Sequence, residues 1–203
     1  MLIKEYNEIF HPIEALYNRG MFKKALEYLD SIPIDSDELN FEKLLLSYGL
    51  RSVALLPFPD EQPVTKIWND LKKLGTTPLH YHHEAYIISL DVAINLKQLN
   101  ASEELIQQAN DFLKSVNQLN NHLRIYYTLI ADYLTAIYLI RNKLNYTVGI
   151  SKLQSLKKEF EDQKLVISII MTDFWLGFSY YKINEVDSSI KSANLTVFRW
   201  FAA

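Results

Sequence analysis

This sequence predicts an all-α fold of antiparallel helix pairs, stacked as a right-handed α-solenoid of about five units. Three observations predict it. Apolar residues recur at three- and four-residue steps, as in Phe22, Leu26, Leu29 and Ile32, and again in Leu105, Ile106, Ala109, Phe112, Leu113 and Val116. That is the period of a helix with one buried face. Prolines sit between such segments, at Pro33, Pro57, Pro59, Pro63 and Pro78, where they break helices and mark connections. No run of alternating β-branched residues reads as a strand.

Taken in order, the spacing predicts helices over 3–18, 22–31, 37–56, 61–74, 79–98, 102–118, 121–142, 146–162, 164–182 and 186–201. Ser36 or Asp37 can cap the third, and Ser102, followed by Glu103 and Glu104, opens the sixth with acids in its first turn. Short connections make successive helices antiparallel neighbours. The stretch from Pro57 to Pro63 reads as the turn inside one pair. No shift in composition marks a boundary, so residues 1–203 read as a single repeat domain.

Bulk properties narrow the function. Forty-nine per cent apolar and 13% aromatic residues supply a core and exclude a disordered chain. A net charge of −3 disfavours a free-standing nucleic-acid binder, which shows a basic patch and a high pI. Zero cysteines remove disulfides, thiolate metal ligands and cysteine nucleophiles, and fit a cytoplasmic setting. Met1 to Glu8 carries two acids and does not read as a signal peptide. Ile125–Ile140 and Leu165–Tyr181 are long and apolar, but each holds a central acid, Asp132 and Asp173. An aspartate at the centre of a membrane span costs roughly 2.5–3.5 kcal/mol, so both read as inner helices of a soluble array rather than as membrane spans.

The pairs repeat. Leu176-Gly177-Phe178-Ser179-Tyr180 gives a small residue with a tyrosine three places on, followed by the turn and second helix at Asn184 to Ile190. Arg19-Gly20-Met21-Phe22-Lys23-Lys24-Ala25-Leu26-Glu27-Tyr28-Leu29 copies that turn and second helix. Asn145 to Leu153 copies it again, with Gly149 in the alanine slot. Aligned with the weaker turn at Leu99 to Ser102, these place units near residues 6, 86, 130 and 170, with room for a degenerate one near 46. The pattern resembles the tetratricopeptide repeat, with a period of about 40 in place of about 34. Each such pair buries its apolar face only against its neighbours.

Catalytic and cofactor motifs are missing. His80, His83 and Glu84 share a helical face that zinc could use, set against a plainer reading of exposed histidines at a helix start after Pro78. No phosphate-binding glycine motif and no serine on a glycine-flanked elbow occurs, and Asp60-Glu61 and Glu103-Glu104 look like solvated helix starts. The expectation is a binding protein, with neither enzymatic activity nor a cofactor.

One ladder of residues points to a ligand. In a tetratricopeptide array the first helix of each pair lines the concave groove. Its C-terminal positions here are Tyr17 and Asn18, Lys97 and Gln98, Arg141 and Asn142, and Tyr181 and Lys182. All can donate hydrogen bonds and three are cationic, which suits the backbone and carboxylates of an extended peptide. Tyr138, Phe174 and Phe178 fall on the same predicted face as pockets for its side chains. The competing reading is that amides and cations simply favour helix C-termini.

Phe174-Trp175-Leu176-Gly177-Phe178-Ser179-Tyr180-Tyr181-Lys182-Ile183, with the long period, resembles the last full repeat of the C-terminal sensor domains of Rgg-type and PlcR-type regulators from Gram-positive bacteria. The resemblance implies a dimeric array that binds a short signalling peptide in its groove and so regulates transcription in quorum sensing. It carries the peptide-contact role onto Lys97, Gln98, Arg141, Asn142, Tyr181 and Lys182. The repeats begin within ten residues of Met1 with no helix-turn-helix ahead of them, so no direct nucleic-acid contact is expected of this chain. A scaffold that holds a folded partner protein is the other open class. The apolar stretch Leu195 to Ala203 reads as an edge that either meets another subunit, as in a homodimer, or lacks the polar capping helix that ends such arrays.

Overall fold

A computed structural model describes residues 3–33, 35–115 and 121–202. Among the described residues the chain is all-helical, with no strand. The helices are α1 (Ile3–Asn18), α2 (Phe22–Ser31), α3 (Asp37–Ala54), α4 (Pro63–Lys73), α5 (Leu79–Asn95), α6 (Leu99–Ser115), α7 (Asn121–Arg141), α8 (Tyr146–Asp162), α9 (Val166–Lys182) and α10 (Val186–Ala202). They form two compact units, Met1–Gln98 and Leu99–Ala203.

Helix ends follow local chemistry. The Ser36 hydroxyl accepts the Leu39 N–H at 3.2 Å and caps α3, with Asp37 and Glu38 in the first turn where the helix dipole favours them. The Asn145 side chain caps α8 by accepting the Val148 N–H at 3.3 Å. Pro63 opens α4, where its missing N–H costs nothing. Several expected ends move, α4 beginning at Pro63 rather than at 61. α3 stops at Ala54 and α5 at Asn95 because Leu55 and Lys97 adopt the left-handed conformation (φ 54° and 57°). Lys164 does the same (φ 57°), so α9 begins at Val166 rather than at 164. α6 begins at Leu99, a turn earlier than expected, and the buried Ser102 lies inside it instead of capping it.

The left-handed residue recurs in register. Gly20, Lys97, Leu144, Lys164 and Asn184 each stand two places before the next helix. The residue after four of them donates its N–H five places back at 2.9 Å: Met21 to Leu16, Gln98 to Ala93, Leu165 to Phe160 and Glu185 to Tyr180. This satisfies a carbonyl at the end of each preceding helix. After Leu144 the turn is one residue longer, with Asn145 donating to Leu139 at 2.9 Å. The fourth residue of α2, α6, α8 and α10 is always small: Ala25, Ser102, Gly149 and Ser189.

In the first unit α3 lies between two cores. Leu50 joins Phe10, Ile13, Ala25, Leu26 and Leu29 of α1 and α2. Phe41, Leu45 and Tyr48 join Ile67 and Leu71 of α4 and Tyr81, Ala85 and Val92 of α5. α5 packs on both α3 and α4. The Tyr48 hydroxyl donates to Asp60 and the Arg51 guanidinium to the Pro57 carbonyl (2.8 Å), which fixes the 55–62 turn. In the second unit α6 to α10 pack each on the next, and Leu129, Leu156, Phe160 and Ile169 form a core among α7, α8 and α9.

Among the described residues one stretch, Leu123–Arg141 of α7, is long and apolar enough to cross a membrane, and 44% of it is buried inside the protein. α7 packs on α6 and α8. The side chains from Leu195 onward, and with them the expected C-terminal edge, lie outside the described residues.

Candidate functional site

α9 is apolar on almost every face, yet only part of it is covered. Ile170, Thr172, Asp173, Leu176 and Ser179 are buried, and α8 and α10 pack on this helix. The polar groups on the covered side are satisfied: Thr172 donates to the Ser168 carbonyl (2.6 Å) and Ser179 to that of Trp175 (2.7 Å). Asp173, with 1% of its side chain exposed, takes the Lys157 ammonium of α8 at 2.6 Å; the lysine keeps 21% of its side chain in solvent. Gln154 of α8 donates to the Tyr180 hydroxyl at 2.7 Å. At Gly177, α10 comes close: Ser189 donates to the glycine carbonyl at 2.9 Å, and a Cβ would sit 3.5 Å from the backbone of Ser189 and Ala193.

The opposite face is an aromatic stripe. Phe174 is 50% and Tyr181 65% exposed, with Trp175 and Phe178 half-buried between them. Phe174 meets Trp175 edge-on at 5.4 Å, and Trp175 meets Phe178 edge-on at 5.6 Å. The Lys182 ammonium stands over Phe178 (5.4 Å) and Tyr181 (5.7 Å). Edge-to-face packing orders these rings without outside help, so the stripe is preformed. With Asp173 paired inside, Lys182 is the one charge α9 carries on its uncovered side.

The expected ladder falls on both units. Lys97 is exposed in the left-handed turn after α5, and Gln98 is half-buried; both belong to the first unit. Tyr17 packs edge-on against Phe22 at 5.5 Å, and the Asn18 side chain lies outside the described residues. In the second unit Arg141 ends α7 and is half-buried, as is Asn142. Phe178, Tyr181 and Lys182 share the α9 stripe. Tyr138 does not line an open surface: it is buried, donates its hydroxyl to Glu103 of α6 (2.8 Å), and carries Lys143 over its ring at 5.6 Å. Lys143 also pairs with Glu103 at 2.7 Å. Hydrogen bonds from Lys143 and Tyr138 hold the Glu103 carboxyl below its ordinary value, and the same carboxylate holds Lys143 above its own. Glu103 and Asp60 thus brace neighbouring elements, and Glu103 stays 53% exposed as a solvated acid while doing so.

The histidine cluster also departs from expectation. His83 is fully buried and His80 half-buried, its ring tilted against that of Tyr81 with centroids 4.4 Å apart. Among the described residues no group of three or more metal-ligating side chains could hold an ion. Nearby, Glu42 of α3 is buried and accepts a hydrogen bond from Tyr81 of α5. Burial, then the charge of Glu84, pushes Glu42 up to about 8. Trp175, Lys143 and Glu42 went unchosen in the sequence reading. Trp175 stands three residues before Phe178, the same step that separates Phe178 from Tyr181, so its signal was present. Glu42 and Lys143 act through other helices and had none.

Compared with known proteins, the chain matches no protein-family model, no curated protein and no solved structure.

Proposed function

We propose that this chain is a non-catalytic binding module built from tetratricopeptide-like helix pairs, and that the α9 stripe receives a short peptide. The observation that carries this reading is the preformed row Phe174, Trp175, Phe178 and Tyr181, open to solvent and tipped by Lys182. A monomer gains nothing by leaving such a row in water, and aromatic anchors are what interfaces use for binding energy. The repeat reading draws on the recurring left-handed turn and on the small fourth residue of α2, α6, α8 and α10. Together they support the pairing into units of about 40 residues stacked as a right-handed solenoid. In function the module is a cytoplasmic regulatory sensor domain of the kind carried by Rgg-type and PlcR-type regulators.

A second reading, an adaptor for a folded protein, draws on α10, where Val186 (58% exposed) and Ile190 (53%) lie one turn apart. Native mass spectrometry of the gently purified protein separates them. The peptide reading expects a small co-purifying mass that is lost in Phe174→Ala/Tyr181→Ala. A protein-sized partner retained by that variant and lost in Val186→Ser/Ile190→Ser would replace it.

A further inference from the structure

Resting on the peptide reading, we infer that the occupant of the α9 stripe is an apolar segment of about three to four residues with a carboxylate at its Lys182 end. Length comes first. Phe174 to Tyr181 spans seven residues of helix, about 10 Å at about 1.5 Å per residue. An extended peptide covers that in about three to four residues at about 3.3 Å each.

Polarity comes second. The Phe174, Trp175 and Phe178 rings offer apolar and π surface with a single polar group, the Trp175 indole N–H, so the segment over them carries mainly apolar side chains. The far end is cationic. Lys182 is exposed and drawn over Phe178 and Tyr181, so its ammonium is presented at the end of the row rather than swung away. Asp173, the acid that could cancel it on this helix, is buried and neutralised by Lys157. Glu185 and Asp187 follow at the start of α10, exposed; their charges oppose that of Lys182, so the preference for a carboxylate rests on the ammonium held directly over the row.

The test uses two pools of acetylated tetrapeptides randomised over Ala, Val, Leu, Ile and Phe, one as free acids and one as C-terminal amides. Retention of each by the full chain is measured by equilibrium dialysis. The acid pool is expected to be retained about fivefold better than the amide pool, the size of one favourable exposed charge contact. Lys182→Glu removes or reverses that preference while the amide pool is still retained. Phe174→Ala/Tyr181→Ala lowers both. Equal retention of acids and amides by the wild type overturns the inference and leaves the peptide reading standing. Retention of neither pool overturns both, as does a homodimer that retains neither and comes apart in Phe174→Ala/Tyr181→Ala, since a second copy then covers the stripe.

Discussion

Two glycines of the second unit respond oppositely to alanine. A Cβ on Gly149 of α8 would lie 2.3 Å from Ile140 Cγ1 and 2.9 Å from its Cδ1, far inside contact distance. Ile140 is fully buried and has nowhere to go. Overpacking of this kind costs about 1–3 kcal/mol, and an overlap this deep belongs at the upper end. Alanine returns about 1 kcal/mol of helix propensity, so Gly149→Ala destabilises by about 2 kcal/mol net. At Gly177 the nearest atoms to a new Cβ stand at 3.5 Å, ordinary contact, so the propensity gain survives and Gly177→Ala stabilises by up to about 1 kcal/mol. Urea unfolding followed by far-ultraviolet circular dichroism reads both as midpoint shifts of opposite sign. In an Ile140→Ala background the sign at Gly149 should invert, because the new methyl then fills the space the isoleucine left. Stabilisation by Gly149→Ala in the wild-type background would refute the packing argument.

Other expectations follow from single contacts. Glu42, with its folded-state value at about 8 against an ordinary 4.5, lends stability that is complete below about pH 4.5 and lost as pH rises through about 8. Glu42→Gln should flatten that decline in pH-dependent urea unfolding, and at pH 9 the variant should be more stable by about 2–4 kcal/mol; an unchanged pH profile would count against the buried acid. Lys157→Met takes the ammonium from the buried Asp173 carboxylate and should cost about 1–3 kcal/mol by urea unfolding, most of it recovered in Lys157→Met/Asp173→Leu. If the double variant is no better than the single, the pair is not the source. Leu144 holds a left-handed conformation with 63% of its surface exposed. Leu144→Gly should therefore raise the thermal midpoint, through relief worth about 1 kcal/mol net of chain entropy.

Much of the fold was legible because it rests on period and punctuation. Ala25, Leu26 and Leu29 face the core of the first unit as their spacing requires, and Ser36 caps α3. The ends of α3 and α5 and the start of α9 moved beside a residue other than glycine in the left-handed turn. Gly20 advertises that conformation, whereas Lys97, Leu144 and Lys164 do not, since any side chain can be held there when the preceding carbonyl is satisfied. Ser102 read as a cap from its neighbours Glu103 and Glu104, but it occupies the small-residue slot that Ala25 and Gly149 fill elsewhere. At the candidate site Phe178, Tyr181 and Lys182 lie on one uncovered helix face as spacing suggested. Tyr138 does not, because α6 brings Glu103 to its hydroxyl, a contact that no local pattern encodes.

Peptide bound on the α9 stripe lies against the Trp175 indole, which meets both Phe174 and Phe178 edge-on. The chain has three tryptophans and so three indole N–H signals in a proton–nitrogen correlation spectrum, with that of Trp175 assigned by Trp175→Phe. Titration with the free-acid tetrapeptide pool should shift the Trp175 signal in a saturable way and leave that of Trp68, which packs against Tyr86 in the first unit, in place. A Trp175 signal that stays still while peptide is bound, or a saturable shift confined to Trp68, would contradict the claim.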